Sequence, residues 1–248
     1  MFYSMKFLTR VVRLIKTYSI YYLSQKRINI LNLKVFGRFI HWGGNGRVVI
    51  HHACKLGSHL HFFINGFLEI QNGVVLGDYF RLQDEGIGSD IKIGSYSSLG
   101  VFSRICIWGT KGVLDIGENV HFRGNLNIVV DDGGILQIGK NSFFNNYCSI
   151  NCQGEITIGE HCFFGEDVKI YDHNHKYGEE NEGFITNSFN KGKIEIGKNC
   201  WIGSNVTILK GVTIGNNVVI GANCLIYKSV PSNSVVKLDA KLKIDTTN

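Results

Sequence analysis

The sequence predicts an all-β solenoid, a coil of short parallel strands wound around a narrow three-sided core. Three observations carry this expectation. From Ile196 to Pro231 an isoleucine recurs every six residues, at 196, 202, 208, 214, 220 and 226, without a slip. Four residues after each stands a small or β-branched residue: Cys200, Val206, Val212, Val218, Cys224 and Val230. The chain of 248 residues holds 30 Gly and one Pro, which suits many corners between hydrogen-bonded strands. Neither a helical period of 3.6 nor a strand period of 2 yields a repeat of six. Fixed self-similarity marks a repeat architecture. Six residues make one short strand and one corner, with the large aliphatic and the small residue both pointing inward. Gly or Asn beside the aliphatic tolerates the unusual backbone angles of a corner.

Residues 1–30 precede the repeat and differ from it. Lys6, Arg10, Arg13 and Lys16 lie opposite Phe7, Val11, Leu14, Ile15 and Tyr18. This spacing predicts a basic amphipathic helix. It either caps the first coil or lies on an anionic membrane through residues 6–23. Charges interrupt any signal-peptide core, and no run is long enough to span a bilayer.

The solenoid is expected over residues 31–236. Its signal is ragged near Ile50 and Leu56, then sharpens into triplets such as Ile93, Leu99, Ile105 and Ile138, Phe144, Ile150. Each triplet is one coil of a three-sided prism. Extra residues, as at Gly133-Gly134, fall after the third hexad and should bulge from one corner. The largest interruption, residues 171–193, is polar and irregular, and should project as a loop. Long loops on repeat scaffolds often carry function. Residues 237–248 should cover the open end of the last coil.

Seven cysteines are present, and Cys54, Cys148, Cys162, Cys200 and Cys224 fill the small slot of a hexad. That makes them core residues. No Cys-x-x-Cys pair suggests zinc, and no metal is expected. This usage fits a reducing, cytoplasmic compartment. The net charge of +6 serves either solubility or attraction to an anionic partner such as a nucleotide-bearing cofactor. No nucleic-acid partner is expected.

The run Tyr171-Asp172-His173-Asn174-His175-Lys176-Tyr177 opens the projecting segment beside the most regular coils. Either it is a solvated polar turn, or it supplies a general base, for which imidazole has a suitable pKa at neutral pH.

The hexads, this histidine segment and the run Ile194-Glu-Ile-Gly-Lys-Asn-Cys-Trp-Ile-Gly-Ser-Asn-Val resemble the hexapeptide-repeat acyltransferases. Among these, residues 138–236 resemble the galactoside, maltose and xenobiotic acetyltransferases. The resemblance implies a left-handed parallel β-helix, acetyl-coenzyme A as acyl donor and a homotrimer with the active site between prisms. It implies His175 as the base, with His173 as the reserve. It implies Trp201 beside the pantetheine arm and the Ser204 amide at the oxyanion. Gly221 and Ala222 would leave room for coenzyme A, and Asn145 would bind the acceptor. The family's Gly-Asn-Pro-Ala-Lys ending is here Lys237-Leu-Asp-Ala-Lys241, which keeps only its last two residues. The added N-terminal coils and basic segment look like acetyltransferases of bacterial surface polysaccharide assembly. The expected reaction is O-acetylation of a saccharide hydroxyl. The alternatives are N-acylation of an amino-sugar nucleotide and a non-catalytic binding solenoid. A carbonic anhydrase of this fold needs two His five residues apart, and no pair among the nine has that spacing.

Overall fold

A computed structural model describes residues 28–30, 35–37, 39–177 and 184–239. The expected basic helix lies outside these up to residue 27. At its end, Ile28–Ile30 is a strand that pairs with Val48–Ile50, so the coil begins inside the segment read as helix. The reason is local: Ile28-Asn29-Ile30 alternates with period two and continues the hydrogen-bonded ladder.

The described residues form a three-sided parallel solenoid. Its first and third faces have nine strands each and its second face has ten. Each face is a ladder of equivalent residues from successive coils. On the first face Ile70, Ile93, Ile116, Ile138 and Ile158 stand in register. On the third, Leu82, Ile105, Ile128, Ile150 and Ile170 do so. All are buried. The second face stacks Phe122, Phe144 and Phe164, with ring centroids 4.7 and 4.2 Å apart. Thus each inward hexad position packs on copies of itself, which explains why one residue type can recur so often.

Two corner roles that the sequence merges are separate. The left-handed conformation falls on Asn199, Asn205, Asn217 and Asn223, with φ of 56°, 56°, 56° and 63°. The Gly that follows the isoleucine does not share it. Gly159 is needed because a Cβ there would lie 2.7 Å from the backbone of Gly197 in the next coil. Asn tolerates the turn, and Gly permits the coils to approach.

The small slot holds more than apolar filler. Cys54 Sγ donates to Gln71 O, Ser97 Oγ to Gly117 O, and Cys162 Sγ to Gly197 O. Each satisfies a corner carbonyl one coil onward, so Cys and Ser share this column with Val74, Val120 and Val218. All seven cysteines are buried and free.

Every insertion leaves from the corner between the third and first faces. Strands end there at Asp84, Ile107, Val130 and Cys152, and resume at Asp90, Val113, Ile135 and Glu155. The largest insertion is ordered at its base: His173–Tyr177 and Phe184–Lys191 pair as an antiparallel hairpin. At the far end, Val235–Val236 pairs with Val219–Ile220, and Val230 bridges Ile214. The tail from residue 240 lies outside the described residues.

Candidate active site

The hairpin is held at its base by one carboxylate. Strand Lys169–Tyr171 stays in the third face, and Asp172 then turns fully inward. Its side chain accepts the backbone N–H groups of Gln153 (2.9 Å) and Gly154 (2.7 Å) from the coil below. The same Oδ1 that meets Gln153 lies 2.9 Å from His173 Nδ1. Burial alone would raise the Asp172 pKa, but the bonds from His173, Gln153 and Gly154 outweigh it and hold the carboxyl below its ordinary 3.8. The backbone closes the loop where Gly192 N–H donates to Asp172 O at 2.7 Å.

The two histidines differ in setting. His173 is tied to Asp172, its side chain is only 17% exposed, and its ring meets Phe189 edge-on. His175 is exposed, with its ring tilted against Phe189 at 4.5 Å. Among the described residues no polar group occupies its ring nitrogens. The hairpin ladder also breaks directly after it: His175 opposes Phe189, whereas Lys176 opposes Ile185. Such a bulge re-aims side chains and is common beside active sites. On the other strand, Lys191 Nζ reaches Asp132 Oδ2 at 2.7 Å and ties the hairpin to an earlier coil.

The remaining candidates gather elsewhere on the prism. Ser204, Gly221 and Ala222 share the corner between the second and third faces, where a Cβ on Gly203 would lie 2.6 Å from Ala222 N. The Ser204 hydroxyl accepts Glu166 N–H at 3.3 Å, and no hydrogen bond among the described residues takes up its own backbone N–H. Asn145 lies along the same corner; its Oδ1 accepts Asn146 N–H at 2.9 Å. Trp201, 60% exposed, projects from the adjoining second face between Phe163 and Val219. One chain therefore brings Trp201, Ser204, Gly221 and Ala222 together, with Asn145 lower on the same edge. It does not bring the histidines to them, because the third face lies between.

Sequence reasoning missed Asp172 as the anchor of the histidine segment, and Phe189 and Lys191 as its supports. One signal for Asp172 was available. Asp84 ends an equivalent third-face strand and binds Asn65 and Gly66 N–H groups in the same way. Among the described residues no three His, Cys, Asp or Glu side chains cluster as metal ligands do.

Comparisons with known proteins agree with this architecture. The family model described as bacterial transferase hexapeptide (six repeats) matches residues 193–228. The chain is 30% identical over 148 residues to a putative lipopolysaccharide biosynthesis O-acetyl transferase of Escherichia coli K12. That match covers 57% of this chain and 76% of the relative. It is also 30% identical over 122 residues to a putative colanic acid biosynthesis acetyltransferase of the same strain, covering 49% of this chain and 63% of the other. A solved maltose O-acetyltransferase from Clostridium difficile 630 is 32% identical, with a TM-score of 0.42 over 49% of this chain and 63% of that one. The repeat, the prism it builds and the extent of the first relative covered establish that this chain belongs to the hexapeptide-repeat acetyltransferases.

Proposed function

We propose that the chain is an acetyl-coenzyme A-dependent O-acetyltransferase that esterifies a saccharide hydroxyl in bacterial surface polysaccharide assembly. The observation that carries the reading is the anchored histidine hairpin one coil from the Trp201–Ser204 run. The names of the two Escherichia coli relatives support the substrate class.

His175 is the base in this account. Its ring nitrogens have no partner among the described residues, the bulge sets its direction, and Phe189 supports the ring. It takes the acceptor hydroxyl proton as that oxygen attacks the thioester carbonyl. The open Ser204 amide N–H faces the oxygen on which charge develops. The C–S bond then breaks, and the proton held on His175 passes to the departing thiolate. Trp201 flanks the pantetheine arm, Gly221 and Ala222 leave the corner clear for the cofactor, and Asn145 contacts the acceptor. His173, bound to a buried carboxylate, positions the strand that carries His175.

Because the histidines and the cofactor corner sit on different edges, the site is completed by a second copy. A homotrimer with sites between prisms satisfies this. The enzyme works on the cytoplasmic side, held at the membrane through residues 6–23. The test is thiol release from acetyl-coenzyme A dependent on added surface glycan, with mass spectrometry of the product. Mixing inactive His175→Ala and Trp201→Ala chains under subunit exchange should restore activity. Failure of every glycan to support transfer would defeat the proposed reaction, and failure of mixing would defeat the shared site.

A further inference from the structure

The edge between the second and third faces changes character toward the first coils. Beside the active site its left-handed corner positions are Asn205 and Asn223. Lower on the same edge they are Phe39, His59, Tyr79 and Phe102, with φ of 57°, 58°, 60° and 56°. The four rings form one continuous stack, with centroids 5.1, 4.7 and 4.9 Å apart. Phe39 is 76% exposed and Phe102 58%. A bulky ring in the left-handed region is strained, and Asn suits such a corner better. Tyr96 and Tyr147 occupy corners singly, whereas here four aromatic rings follow one another. Strain repeated in this way on an exposed apolar ridge points to a use.

Arg81 and Arg104 open the third-face strands beside the ridge. Both are exposed, and among the described residues neither pairs with a carboxylate. Arg104 Nε donates to Cys106 Sγ at 2.9 Å, and Asp78 on the ridge accepts Ser58 N–H at 2.6 Å. Aromatic rings with Arg are the side chains enriched where two proteins meet, and Lys is depleted there. The edge between the third and first faces carries the complement. Ile87 is 74% exposed in one insertion, and Trp108 projects from the next. Glu85 and Asp90 beside Ile87 are exposed and pair with no cation among the described residues. Lys111 is the one cation within these two insertions.

We infer that the aromatic ridge is the docking surface for a second copy of this chain, which seats its insertions at Ile87 and Trp108 against Phe102. The inference rests on the proposed shared site and adds which coils hold the copies together. For His175 of one chain to serve the Ser204 corner of another, these two unlike edges lie side by side. Rotation about an axis along the prism keeps each coil level with its equivalents. The histidine hairpin then meets a corner one coil onward. By the same step the insertion at Ile87 meets Phe102 and sets Glu85 beside Arg104. The stack ends at Phe102, since the next corner is Asn125, so Trp108 meets its last ring. A contact between unlike edges is head-to-tail and closes into a ring. Removing the exposed rings from water offsets the strain of their corners.

Tyr79→Asn combined with Phe102→Asn tests this without harming the chain, because Asn is the residue of the later corners. Light scattering should give a trimer for wild type and a monomer for the double variant at the same concentration. The expected loss of association is roughly a hundredfold or more, the size for two anchor aromatics. Far-ultraviolet circular dichroism should stay that of wild type. Ile87→Cys combined with Phe102→Cys reads the contact directly, since the third face separates the two positions within one chain. A short bismaleimide should join chains to one another on a denaturing gel. Neither single variant should do so, nor wild type, whose cysteines are buried. An unchanged trimer in the Asn variant, or no joined chains in the Cys variant, would overturn the inference. An intact trimer that loses phosphatidylglycerol vesicles would place the ridge against lipid and overturn it too. A monomeric wild type would defeat the shared site and the ridge together. Activity restored by mixing the His175→Ala and Trp201→Ala chains, with no joined chains, would keep the shared site and remove the ridge alone.

Discussion

His173 Nδ1 and Asp172 Oδ1 lie 2.9 Å apart, with the carboxylate wholly buried. The pair is the point where a regular coil is converted into a hairpin. Its charge gives it a pH signature. Asp172 is depressed below 3.8 in the folded chain. A depressed carboxyl contributes stability that is fully present above its unfolded pKa and lost as the pH falls through the lower folded value. Asp172→Asn should therefore destabilise at neutral pH, by about 1–3 kcal/mol for disrupted buried hydrogen bonds. It should also flatten the loss of stability below about pH 4, the ordinary carboxyl range. Denaturant titrations of both proteins between pH 7 and pH 3 check this. An equal acid slope in the two proteins would show that Asp172 is not linked to folding.

Coil spacing and corner conformation can be tested separately at two glycines. Gly159→Ala places a methyl 2.7 Å from the Gly197 backbone, whereas Gly211 has φ +78° and open space around it. Gly159→Ala should cost more, at or above the 1–3 kcal/mol typical of overpacking, roughly. Gly211→Ala should cost only about 1–2 kcal/mol for a left-handed alanine. Comparable losses in thermal melts would mean that coil contact is looser than the structure indicates.

The buried thiols should resist modification. Burial pushes the Cys148 thiol up to about 11 and raises those of Cys54 and Cys152. Little thiolate of these three then exists at neutral pH; at Cys200, whose thiol the hydrogen bond from Cys162 lowers, burial is what excludes the reagent. A thiol reagent should titrate none of the seven in native protein and all seven in denaturant. Reductant should not move the melting temperature. Rapid labelling of native Cys200 or Cys162 would contradict this packing.

The solenoid was legible from Ile93 onward because each inward position packs on its own equivalents, so the sequence period maps directly onto the coil. The first coils were less so. There Trp42 stacks on Phe62, which in turn meets Phe80, and the mixture of aromatic and aliphatic groups hides the period. The hairpin was legible as an interruption but not as paired strands. Its ladder skips from Phe189 to Ile185, and such a break removes the alternation that identifies a strand. His173 and His175 stood out by residue type. Their unequal settings depend on Asp172, the chain neighbour of His173, and on Gln153, which binds Asp172 from another coil, and Phe189, which meets both rings from the opposing strand. Spacing along the chain carries no information about such contacts.

The basic segment gives a further expectation, from residue pattern alone. Four cations near an anionic leaflet contribute about 1 kcal/mol each. Full-length chain should co-sediment with phosphatidylglycerol vesicles and less so at high salt, while a chain starting near Ile30 should not. Truncation should leave transfer to a soluble sugar unchanged. Equal binding by both, or unfolding of the first coils on truncation, would make the segment a cap.

The account turns on a base carried by the hairpin, and kcat for acetyl transfer in His175→Ala and His173→Ala tests it most directly. His175→Ala should lower kcat by roughly two to four orders of magnitude with the melting temperature kept, the range for loss of a general base. His173→Ala, which removes a support, should lose far less. A fully active His175→Ala enzyme, with His173→Ala inactive but folded, would contradict the assignment and move the base to the Asp172–His173 pair.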